Sequence, residues 1–170
     1  MAIAIYAVII VLSLVIQTTL FTSWPFLTVV PDLVLVIVVL FSIINGPSFG
    51  AKFGFAAGLG LDLLIGQFIG MNALIKMLIG IGVGYLALKL YKENYVIPFL
   101  FVIGATVIDQ LLYALGTIIF GIPAPLMFIL TEQLLPAMLL NGILSLLLYV
   151  RLYYFNQKIS YWDELFKRAG

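Results

Sequence analysis

Residues 46–84 read GPSFGAKFGFAAGLGLDLLIGQFIGMNALIKMLIGIGVG, and this stretch decides the architecture. Gly46, Gly50, Gly54, Gly58, Asp62 and Gly66 recur at every fourth position. After a short turn, Asn72, Lys76, Gly80 and Gly84 do the same. Small residues at i, i+4 let two membrane helices approach closely. Folded as an antiparallel hairpin about position 69, the rungs match: Gly54 faces Gly84, Gly58 faces Gly80, Asp62 faces Lys76 and Gly66 faces Asn72. A step of four overshoots the helical turn by about 40°, so the stripe winds and the pair must cross at an angle to stay in contact.

The remainder of the chain supports a membrane reading. Its 170 residues are 65% hydrophobic and only 9% charged, with a mean hydropathy of +1.27. No soluble core requires so much apolar sequence. At about 20 residues per span, the length accommodates roughly five or six spans and no separate soluble domain. We read an all-α bundle of six transmembrane helices within residues 1–150, at roughly 2–22, 29–45, 48–66, 70–90, 95–119 and 125–150. Residues 151–170 form a cytoplasmic tail, either solvated or lying on the inner membrane surface as an amphipathic helix. The N-terminus lacks the basic region and cleavage site of a signal peptide, so the first segment is expected to be a retained span.

Several local signals place the boundaries. Pro31 fits the first turn of the second span, and Asp32 suits the positive end of its dipole. Asn45-Gly46-Pro47-Ser48 is a turn. Gly121-Ile122-Pro123-Ala124-Pro125 breaks the chain before the last span, and Pro136 is expected to kink that span. With six spans, Lys52, Lys89, Lys92, Arg151, Lys158, Lys167 and Arg168 share one side with both termini. The positive-inside rule makes that side cytoplasmic. Trp24 then falls at the outer interface, and Tyr153, Tyr154, Tyr161 and Trp162 near the inner one.

Composition excludes much chemistry. There is no Cys and no His, hence no disulfide, thiol nucleophile or imidazole relay. The net charge of +1 offers no case for nucleic acid. We expect no metal and no cofactor. Four ionisable residues fall inside spans: Asp62, Lys76, Asp109 and Glu132. Asp62 and Lys76 should lie about 6–9 Å below the outer boundary, and all four residues could meet in the outer half of one bundle. Such residues are costly in a membrane and need a partner or a task. The cluster is either a ligand pocket or proton path, or a polar clamp that fixes helix register. Asp62 and Asp109 invite comparison with an aspartic dyad. However, Gly58-Leu59-Gly60-Leu61-Asp62 has one residue too many for the intramembrane protease pattern, and Asp109 follows Ile108 rather than Tyr.

Pro31-Asp32-Leu33, Gly54-Phe55 through Gly58-Leu59-Gly60-Leu61-Asp62-Leu63-Leu64-Ile65-Gly66, and Gly70-Met71-Asn72-Ala73-Leu74 together resemble the MreD family of bacterial rod-shape-determining membrane proteins. Asp109, Pro136 and Asn141 add to the resemblance, which does not extend to Lys76 or Glu132. It implies a non-enzymatic scaffold or regulatory subunit of the cell-elongation machinery in the bacterial inner membrane. The implied partners are MreC, a bitopic protein, the glycosyltransferase RodA, a penicillin-binding transpeptidase, RodZ and the actin-like MreB. The family also looks similar in fold to the substrate-binding subunits of energy-coupling-factor vitamin transporters, which implies an alternative function as a small-molecule binder. The Ala-x-x-x-Ala docking motif of those subunits is not provided by Ala2, Ala4 and Ala7.

Overall fold

A computed structural model describes residues 2–21, 29–65, 68–89, 96–121 and 132–169, without the side chains of Leu20, Phe21, Ser160 and 164–169. The described chain is all-α: α1 (Ala2–Val15, continued by a π-helical turn Ile16–Phe21), α2 (Leu33–Asn45), α3 (Pro47–Ile65), α4 (Met71–Ala87), α5 (Val96–Ile119) and α6 (Leu134–Ala169). Four stretches are long and apolar enough to cross a bilayer: Ala2–Thr19, Pro47–Ile65, Val96–Ile119 and Leu134–Asp163. Helices α2 and α4 are shorter. The readings that rest on Trp24, Gly66, Lys92 and the Ile122–Pro125 break lie outside the described residues.

The bundle is organised around α2. Every residue from Leu33 to Ile44 is buried, as expected of a helix that is apolar on all sides. One flank of α2, through Val34, Val38 and Phe41, packs with Leu14 of α1 and with Phe53, Ala57 and Leu61 of α3. The other, through Leu35, Val39 and Ile43, packs with Ile75, Ile79 and Val83 of α4, Val102 of α5 and Tyr149 of α6. A helix of 13 residues rises only about 20 Å, less than the hydrocarbon thickness of about 30 Å. The sequence pointed to a helix beginning near Val29 with Pro31 in its first turn. Instead Val29–Asp32 is non-helical and Asp32 is the N-cap. Helix α2 by itself is therefore too short to cross a bilayer.

The α3–α4 hairpin is the closest pair in the fold, but its register differs from the expected one. A Cβ on Gly50 would strike the Gly80 carbonyl, one on Gly54 the Lys76 carbonyl, one on Gly58 the Asn72 carbonyl, and one on Gly84 the backbone of Gly46 and Pro47. These pairs centre on position 65, not 69. Helix α3 thus outruns the start of α4 by six residues, about 9 Å, and α4 is entered through Gly70, whose φ of +98° requires glycine. A symmetric turn was the wrong assumption. The ladder itself is the contact seam, since backbone meets backbone at every fourth residue.

The other connections follow simpler rules. Gly46, at φ +87°, ends α2, its N–H bonding the Ser42 carbonyl at 2.9 Å. Pro47 then opens α3, where its missing N–H is harmless. Gly121, at φ +76°, follows α5. Pro136 is the third residue of α6, and Glu132 and Gln133 before it are π-helical, so the proline marks a switch of helix type rather than a kink in mid-span. Helix α6 runs unbroken through Arg151, so residues 151–169 continue the same helix.

The ladder makes a stability prediction with its own control. Gly54→Ala should destabilise by about 1–3 kcal/mol, because its methyl meets backbone that cannot yield. Gly82 and Gly104 have nothing within 4 Å of the same atom. Gly82→Ala and Gly104→Ala should be neutral or stabilising by up to about 1 kcal/mol. Equilibrium unfolding in mixed micelles measures both, and equal losses at Gly54 and Gly104 would contradict the seam.

Candidate functional site

The first N–H groups of a helix lack acceptors within it and, away from water, must be satisfied by protein. Helix α2 meets that demand residue by residue. The Leu33 N–H bonds the Pro31 carbonyl at 3.2 Å and the Val36 N–H bonds the Asp32 carbonyl at 3.1 Å. The Val34 N–H donates to Gln17 Oε1 at 2.9 Å, and the Leu35 N–H to Asp32 Oδ1 at 2.8 Å. The Asp32 N–H itself donates to Asn141 Oδ1 at 2.8 Å. Asn141 Nδ2 then donates to Thr106 Oγ1 at 3.1 Å, so one amide joins α2, α5 and α6.

Helix α4 has the same problem and borrows its solution from α3. Asp62 accepts from the N–H groups of Gly70 at 2.9 Å, Asn72 at 3.1 Å and Ala73 at 3.0 Å, and from Asn72 Nδ2 at 2.9 Å. A carboxylate at a helix N-terminus is also favoured by the macrodipole. This bonding explains the register: Asp62 sits level with the start of α4, where its oxygens are used, and not opposite Lys76.

Lys76 takes other partners. Its ammonium lies 2.9 Å from Asp32 Oδ2 and 3.2 Å from Asp109 Oδ1, and donates to Asn72 Oδ1 at 3.4 Å. The Lys76 side chain is 0% exposed, against 23% for Asp32 and 14% for Asp109. The expected Asp62–Lys76 pair is therefore replaced by a chain, Asp62–Asn72–Lys76–Asp109, with Asp32 as a second acid on the lysine. Asp62 and Asp109 do not face each other as a dyad, because Asn72 and Lys76 stand between them. Lys76 lies farther along its helix than expected. It is level with Gly54, eleven residues from the Ile65 end of α3, and Asp109 is ten residues from the Ile119 end of α5, about 15 Å in each case.

Of the intramembrane residues singled out from the sequence, Asp62, Asn72, Lys76 and Asp109 come together. Glu132 does not: it is exposed at the approach to α6, and Asp32 occupies the role expected of it. Asp32, Asn141 and Gly70 enter through helix capping, Pro31 is buried beside the cap, and Pro136 lies apart. Sequence reasoning missed Gln17 and Thr106. It also missed an amide pair at the opposite end of the bundle, where Asn45 and Asn156 exchange bonds of 3.1 and 3.0 Å and Tyr6 Oη donates to Asn156 at 2.8 Å. The signal was present, since amides and hydroxyls stood within otherwise apolar spans. An apolar groove of about 380 Å³ opens between α4 and α5, with Gly82 and Gly104 on its walls.

The fold and this cluster define a polytopic α-helical membrane protein whose buried charges are tied into its own helix ends. A family model described as rod shape-determining protein MreD matches residues 1–159. The chain belongs to the MreD family, and its role lies in rod-shape determination. No curated relative and no solved structure matches it, so the expected likeness to energy-coupling-factor subunits has no support.

The geometry fixes how the charges should couple. Lys76→Met strands two partly buried carboxylates and should cost up to about 3–5 kcal/mol. Adding Asp109→Asn should recover about 1–3 kcal/mol of that loss. Adding Asp62→Asn should recover nothing, because its partners are backbone N–H groups and the Asn72 amide rather than the lysine. Double-mutant cycles by equilibrium unfolding decide the matter, and coupling of Lys76 to Asp62 stronger than to Asp109 would refute the assignment.

Proposed function

We propose that this protein is a non-enzymatic membrane scaffold or regulatory subunit of the peptidoglycan elongation complex, and that it binds an MreC-like bitopic partner. The family match over residues 1–159 carries this reading. The cluster supports it, since Asp32 and Asp62 hold helix N-termini and Asp109 holds the lysine. Carboxylates engaged in this way serve as clamps that fix the surface a partner meets. The RodA-like glycosyltransferase, the penicillin-binding transpeptidase, RodZ and MreB complete the assembly in this proposal.

The proposed orientation places both termini in the cytoplasm of a bacterial inner membrane. Lys52, Lys89, Arg151 and Lys158 are all exposed toward one end of the bundle, which agrees with the positive-inside rule. The natural absence of cysteine makes a direct test simple. An impermeant thiol reagent added to intact cells should label Ile69→Cys and spare Lys89→Cys and Lys158→Cys until the membrane is opened. Outside labelling of Lys158→Cys would reverse the topology.

The functional test is depletion in a rod-shaped source cell. Cells should round, and an MreC-like partner should lose its location and fail to copurify. Retention of rod shape, with the partner undisturbed, would sink the proposal.

A further inference from the structure

Helix α6 presents one unpartnered face beyond the bundle. Arg151, Tyr154, Phe155, Lys158, Tyr161 and Trp162 are all exposed and fall within an arc of about 120° at 100° per residue. Tyr161 and Trp162 are 62% and 53% exposed, with their rings edge to face at 6.2 Å. On the inward side, Asn156 and Ile159 are buried and Asp163 is half-buried, at helical spacing from one another. The outward face thus holds two cations and four aromatic rings, with no acid among its described side chains.

The same face is lipid-facing higher up. Leu139, Ile143 and Leu147 are exposed at steps of four that lead directly to Arg151. Thr106 bonds Asn141, and counting equally along the antiparallel α5 and α6 sets Arg151 level with Val96, the first residue of α5. The face therefore turns from aliphatic to basic and aromatic where the bundle leaves the hydrocarbon. Tyr and Trp favour that boundary, and basic residues beside it are drawn to anionic lipid.

We propose that this face of α6 binds anionic phospholipid headgroups, with Arg151 and Lys158 meeting the phosphates and the four rings lying between the headgroups. Under the orientation proposed above, the leaflet is the cytoplasmic one. Trp162 lies about 16 Å beyond Arg151 along the helix, farther than one headgroup layer of about 5–8 Å is thick. Its ring meets lipid only when this end of α6 leans toward the surface. Attraction between the two cations and an anionic leaflet supplies the lean, so the position of Trp162 depends on lipid charge.

The chain has two tryptophans, and Trp24→Phe leaves Trp162 as the only one. This full-length variant is reconstituted in vesicles of phosphatidylcholine alone or mixed with phosphatidylglycerol. The anionic vesicles should shift Trp162 emission to the blue and lower its quenching by acrylamide at least about twofold, at about fivefold per basic residue in surface attraction. High salt should reverse both changes, and Arg151→Gln with Lys158→Gln should abolish them while Trp162 stays in place. Equal quenching in the two lipids would overturn the proposal and leave the face to a protein partner. A lipid response that survives the double substitution or high salt would overturn it as well. Both leaflets of these vesicles carry the same lipid, so the result is independent of the proposed orientation and of the elongation role.

Discussion

The structure depends on one constraint: the first N–H groups of α2 and α4 lack acceptors within their own helices. In a bilayer each such group must find a protein acceptor. Gln17, Asp32 and Asn141 provide for α2, and Asp62 provides for α4. Short helices are thus possible inside a membrane protein only because polar side chains from other helices end them. The charges follow from the caps. Asp32, placed at a buried helix start, needs a cation, and Lys76 lies within reach of it and of Asp109.

This arrangement concentrates structural information in few residues. Asn141 joins three helices through two bonds, and Asp62 joins α3 to α4 through four. The glycine seam brings α3 and α4 close enough for Asp62 to reach the backbone of the next helix. In turn, the capping bonds choose one register from those a four-residue repeat permits. A stripe of equal rungs slides by one repeat with little change in packing, whereas a carboxylate that needs specific N–H groups does not. Packing and polar satisfaction thus fix together what neither fixes alone.

A second polar junction holds the other end of the bundle. The Asn45–Asn156 amide pair and the Tyr6 hydroxyl tie α1, α2 and α6 together. Tyr6 also sits edge-on to Phe41, Phe49 and Phe53, so α1, otherwise largely exposed, is anchored by one aromatic residue. With α2 clamped at both ends, the helices packed on it are held in fixed relative position, as the proposed scaffold role requires.

By itself the sequence determined the membrane class, the helical content, the hairpin and most residues of the polar cluster. Hydropathy and four-residue spacing are local properties and survive without coordinates. It also carried the family, through motifs around Asp62, Gly70 and Asn72. Only the tertiary structure decided the partners. Asp62 and Lys76 are symmetric about position 69, yet the helices pair about position 65, and a register is not written in the spacing of the residues it joins. Glu132 matched the cluster in type but lies exposed, while Asp32 looked like an ordinary helix-start residue and became the ligand of the buried lysine. Folding made that difference, because one Asp32 oxygen takes the Leu35 N–H of its own helix while the other meets the Lys76 ammonium brought in on α4.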